Sequence, residues 1–135
     1  MSALVDPRPH ATAAKSAIAA ALGSSHVYDH GQVPGTYANT GTLPNIFVLV
    51  AIERRQSEVL RSARAGDAGW RIVATALGRT VSECNWARLK VSEALNEQRL
   101  EVSGFSTTPI QFESDTAPRY DDGRFAADIF LTYVH

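Results

Sequence analysis

The 135-residue chain reads as one α+β domain, in which an antiparallel or mixed sheet of four to five strands carries two helices on one face. Three patterns predict it. Thr80, Val81, Ser82 and Glu83 form a Thr-x-x-Glu capping box, a helix start in which two side chains satisfy backbone donors that have no partner within the helix. Behind the box, Cys84, Ala87, Val91, Ala94 and Leu95 recur every three or four residues and form one apolar stripe of a helix over 80–96, while Glu83, Arg88, Lys90, Glu93 and Glu97 mostly point elsewhere. Strand-like segments flank this helix on both sides, at 45–53 and 70–79 before it and at 99–104, 109–113 and 125–134 after it. Strands segregated in this way, without a regular βαβ alternation, belong to an α+β layer.

Taken in order, Asp6, Pro7, Arg8 and Pro9 predict an extended or turn-like lead over 1–10, since each proline fixes its own φ and biases its predecessor away from helix. A first helix follows, with a small-residue stripe of Ala11, Ala14, Ala17, Ile18, Ala21 and Leu22 facing the core and a stop at Gly23. Val27 and Tyr28 read as a short strand. Gly31, Pro34, Gly35, Asn39, Gly41 and Pro44 then mark a loop long enough to suggest a contact arm over 29–43. The next strand is apolar on both faces, Ile46, Val48, Val50 and Ile52 on one and Phe47, Leu49 and Ala51 on the other, as a covered central strand requires. Its expected partner places Trp70, Ile72, Ala74 and Ala76 on one face, with Val73 and Leu77 on the other. Between these strands Arg54, Arg55, Arg61 and Arg64 surround the apolar pair Val59 and Leu60, a locally positive projection that we read as a partner interface. After the second helix, Leu100 with Val102 and Ile110 with Phe112 alternate with polar residues as half-buried strands. Asp121, Asp122 and Gly123 turn the chain into a last strand that aligns Phe125, Ala127, Ile129, Leu131 and Tyr133.

Composition narrows the chemistry. A net charge of -1 offers no global field for nucleic acid or an anionic membrane. The longest apolar run, 46–52, is far shorter than the roughly 20 residues of a membrane span, and the chain is expected to be soluble. The lone cysteine, Cys84, excludes an internal disulfide and falls on the apolar stripe, where a thiol serves as a small core hydrophobe rather than a nucleophile. His26 and His30 are spaced for a metal, but no cysteine or third histidine lies nearby, and no metal is expected. Asp115, Asp121 and Asp122 lack the ligand ladder of a calcium loop. No Walker loop, Gly-x-Gly-x-x-Gly or HExxH occurs, so neither a cofactor nor a catalytic set is expected. Trp70 and Trp86 are not interleaved with basic residues, which points to core or interface packing rather than base stacking.

The order of these elements carries a resemblance. A helix, a loop, a long strand, an arginine-bearing hairpin and a strand opening with Trp70 lead to the capped helix. Arg99-Leu100-Glu101-Val102-Ser103-Gly104, Pro109-Ile110-Gln111-Phe112-Glu113 and a final strand after Asp121-Asp122-Gly123 follow. From about Ala11 to the end, this resembles the tail terminator, or tail completion, proteins of long-tailed bacteriophages and phage-derived particles. The resemblance implies a non-enzymatic virion protein at the head–tail junction. It would assemble with itself as a hexameric ring, cap the tail tube, meet the neck or head-completion protein, and let DNA pass through its bore without specific binding. The competing readings are another neck or head-completion protein, or a small dimeric α+β enzyme or ligand-binding domain.

Overall fold

The computed structural model describes residues 6–23, 26–30, 44–55, 69–121 and 123–135, with Arg55 described by its backbone. The first helix, α1 (Arg8–Leu22), starts within the segment expected to be an extended lead. Its first turn absorbs Pro9, because the N–H that proline lacks would have no partner inside the helix there. Pro7 is the cap, and its carbonyl accepts the first helical bond from Ala11 N–H at 3.0 Å. Gly23, at φ 100°, ends α1 and donates its N–H to Ala19 O at 2.7 Å. The buried line of α1 is His10, Ala14 and Ile18.

The strands are β1 (Val27–Asp29), β2 (Phe47–Arg55), β3 (Gly69–Gly78), β4 (Glu101–Val102), β5 (Phe105–Ser106), β6 (Gln111–Asp115), β7 (Arg119–Asp121) and β8 (Arg124–Val134). Six of them form one sheet in the order β1-β2-β3-β8-β6, with β7 paired to the first residues of β8. Only β1 and β2 run parallel among these pairs, so the sheet is mixed. The segment expected as a strand at 99–104 does not join it. Glu101–Val102 folds back on Phe105–Ser106 instead, because Ser103 and Gly104 both adopt positive φ, 52° and 87°, as a two-residue hairpin turn demands.

Register sorts the faces as alternation predicts. Val48, Val50 and Ile52 stand opposite Ala76, Ala74 and Ile72, which in turn meet Ala127, Ile129 and Leu131. This face, with Ala14 and Ile18 of α1 and Val91 and Leu95 of the second helix, is the main core. The reverse face gathers Phe47, Leu49, Leu77 and Ala126 with Tyr28.

The second helix, α2 (Val81–Leu95), is capped at both ends of the expected span by Thr80 and Asn96. Thr80 Oγ1 accepts Glu83 N–H at 3.1 Å, but the Glu83 carboxylate reaches Arg79 N–H at 2.9 Å, one residue before the cap. Cys84, Ala87, Val91 and Leu95 are buried as the stripe requires. The turn from β3 into α2 is tight: a Cβ on Gly78 would lie 2.6 Å from Cys84 N, so only glycine fits without displacing backbone. α2 lies over β3 and β8, and α1 lies over β1 and β2 and against α2.

Candidate assembly surfaces

The arginine-bearing segment joins the paired ends of β2 and β3. Arg54, opposite Trp70, is exposed, and Arg55 stands opposite Gly69. Val59, Leu60, Arg61 and Arg64 lie outside the described residues, as does most of the expected contact arm at 29–43.

The strand ends at its root are fixed by an aromatic cluster. Trp70, 1% exposed, pairs across the sheet with Tyr133, and the His10 ring stacks on the indole with centroids 4.0 Å apart. His10 Nδ1 shares a 2.7 Å hydrogen bond with the Tyr133 hydroxyl, and the His135 ring meets His10 edge-on at 5.1 Å. Burial, reinforced by His135, holds the His10 imidazole down at about 4, and burial pushes the Tyr133 phenol above its ordinary range. The pair is therefore neutral at pH 7. The Trp70 indole N–H has no partner among the described residues. Sequence reasoning misses His10, although its four-residue spacing to Ala14 and then Ile18 places it on the α1 stripe.

The second surface lies where α2 stops covering the sheet. β6 is outboard of β8, and α2 packs on β3 and β8, so Phe112 is left 45% exposed although it shares Ile110's alternation. Trp86, for which the sequence allows core or interface packing, is 46% exposed, and Leu89 is 55% exposed. Leu89 and Phe112 line an open cleft of about 240 Å³, shared with Asn85, Ser92 and Asp115. Arg88 braces the cleft, pairing with Asp115 at 3.1 Å and donating to Thr116 O at 2.5 Å and Asn85 Oδ1 at 2.9 Å. Lys90 sits 5.5 Å over the Trp86 ring and pairs with Glu93 at 3.3 Å. The outcome is an apolar strip whose polar neighbours are already ordered by one another.

The sheet also carries a polar chain. Thr75 donates to Asp128 Oδ1 at 2.7 Å and lies 3.1 Å from His30 Nε2, while Arg119 approaches Asp128 at 3.4 Å. With its proton given to the carboxylate, the Thr75 hydroxyl is not activated by His30, and the chain links β3, β7 and β8 to the residue that follows β1. His26 Nδ1 instead contacts Ile46 O at 2.7 Å, so the two spaced histidines have separate partners. Cys84 is fully buried, its thiol donates to Ala76 O at 3.3 Å, and burial pushes its pKa up, as befits a core residue. Arg124, also buried, donates to Pro44 O and Asn45 O at 2.7 Å each and stacks 4.9 Å over Phe47, anchoring the entry to β2.

No family model and no curated protein sequence matches the chain. Solved structures do. A chain from the virion of a native gene transfer agent (GTA) particle aligns with a TM-score of 0.64 at 21% identity, over 91% of this chain and 92% of that one. A second solved chain aligns with a TM-score of 0.61 at 11% identity, over 97% of this chain and 96% of that one. At these identities the similarity is one of fold.

Proposed function

We propose that this protein is a structural component of a phage-derived virion and, within it, the tail terminator. In this reading identical subunits close into a ring, a hexamer, which caps the tail tube and joins the tail to the neck or head-completion protein. The observation that carries the reading is the fold shared, over nine-tenths of both chains, with a chain from a gene transfer agent virion. The surface supports it: Trp86, Leu89 and Phe112 expose apolar area that a subunit interface would bury, and a near-neutral chain suits a bore through which DNA slides without being held. The role is mechanical, so it requires no catalytic group, metal or cofactor.

The test combines mass and position. Native mass spectrometry of the purified chain should give a closed multiple of the protomer, and electron microscopy of particles carrying a tagged copy should place the tag at the head–tail junction. A monomeric mass together with absence from particles would overturn the reading.

A further inference from the structure

We propose that the cluster around His10 is a proton-operated clasp, which holds the first turn of α1 over Trp70 while the imidazole is neutral and lets that turn lift in mild acid with the sheet and α2 still folded. The clasp joins parts of the chain that no local pattern brings together. His10, 2% exposed, stacks on the Trp70 indole of β3 with ring centroids 4.0 Å apart, and its Nδ1 lies 2.7 Å from the Tyr133 hydroxyl of β8. His135, just past β8, meets the ring edge-on and is itself tied to Val102 O at 3.1 Å. Local fastening of this turn is slight. Pro7 makes no side-chain cap, Pro9 has no N–H to give, and the first helical bond runs from Ala11 N–H to Pro7 O. The clasp lies within one protomer and needs no partner, so it stands apart from the ring reading.

A proton on His10 works against this arrangement from several sides. The ring stands in the first turn of a helix, where the dipole presents its positive end. Asp6 is the acid whose charge reaches it, and that carboxylate is already committed to Arg8, to Nε at 3.0 Å and to Nη2 at 2.9 Å. Arg54, opposite Trp70 across β2 and β3, adds a cation on the same face. Beside α1, the chain entering β4 brings Arg99 and Glu101, of opposite sign, and β1 brings Asp29, paired with Lys15 at 2.8 Å. α2 contributes the uncharged Val91 and Leu95. The Trp70 face is the one neighbour here that attracts a cation. Burial, reinforced by His135, keeps the closed form from taking its proton until about pH 4, whereas an imidazole released to water takes one near 6.5. Lifting the turn also lets water reach the Trp70 indole N–H, which has no partner among the described residues. The closed form is therefore favoured most above pH 6.5, and between 6.5 and 4 the ratio of open to closed rises by up to about 300-fold.

The experiment uses the full-length chain carrying Trp86→Phe, which leaves Trp70 as its single tryptophan. Acrylamide quenching of Trp70 and amide protection factors are followed from neutral pH down to pH 4, at two protein concentrations. Trp70 should become accessible with a midpoint between pH 6.5 and 4, and the amides of 11–14 should lose protection while those of α2 and β3 keep theirs. His10→Phe covers the indole without a titrating group, so its Trp70 should stay shielded throughout that range. If His10→Phe does not fold at neutral pH, His10→Gln takes its place. A Trp70 that remains shielded at pH 4, or the same transition in the chain lacking His10, would overturn the clasp. Exposure that arrives together with loss of α2 protection would overturn it in favour of global unfolding, and a midpoint that moves with protein concentration would overturn it in favour of dissociation.

Discussion

His10 sits in an environment far from its chemistry in water. Its imidazole titrates near 6.5 in an unfolded chain and about 4 here, so folding favours the neutral ring. The stabilisation linked to that difference is complete above about pH 6.5, and falls as pH drops through 6.5 toward 4. Its ceiling is on the order of 3 kcal/mol, because a tenfold change in proton affinity corresponds to about 1.4 kcal/mol. His135 deepens the depression and Asp6 opposes it. Urea unfolding at pH 7 and pH 4.5 should show a loss of stability that is smaller in His10→Gln than in the unaltered protein, and equal losses in both would remove His10 as the cause. Gly78 poses a steric question instead. Gly78→Ala would drive a methyl to 2.6 Å from the Cys84 amide, and repositioning the first turn of α2 should cost about 1–3 kcal/mol, readable as a lower melting temperature.

At the scale of the element, α2 is the most legible part of the chain because its signals are local. The Thr80 oxygen meets the Glu83 amide within the helix's own first turn, and Thr80→Ala should cost about 1 kcal/mol by chemical denaturation. Val91 lies at the centre of the buried stripe, 0% exposed, so Val91→Asp would bury an unpaired charge and unfold the domain at a cost of several kcal/mol. An unchanged melting temperature would contradict the core packing. The start of α1 differs from its sequence expectation for a reason of the same local kind. The Pro7 and Pro9 pair would break a helix in its interior but is compatible with its first turn, and tertiary burial of His10 decides between these two uses.

For the whole molecule, the question is which surface is an interface and which is solvated. Arg61→Glu with Arg64→Glu changes residues of the arginine-bearing segment, and surface changes cost within about half a kcal/mol. The double variant should therefore melt like the unaltered chain while failing to assemble with its neighbours or to enter particles. Normal incorporation would return the segment to solvent. The salt response separates partners. Phosphate contacts weaken steeply with salt, whereas a protein interface with apolar anchors such as Val59 and Leu60 should retain assembly in high salt.

The sequence by itself determined the α+β class, the extent of α2, the pairing of β2 with β3 and the sorting of their residues between two faces. These follow from periods of two and 3.6 and from caps, all written within a few residues of one another. Tertiary structure alone decided how far a helix reaches across a sheet. Because α2 covers β3 and β8 and stops short of β6, Phe112 is exposed while Ile110, on the same alternation, is buried. It also decided that 99–104 would turn back at Ser103 and Gly104 rather than extend the sheet, that β1 and β7 would complete the sheet, and that His10 would be stacked against a tryptophan 60 positions along the chain. In each case the deciding contact is one that the local pattern does not specify, since the residues around either partner alone are compatible with burial or exposure.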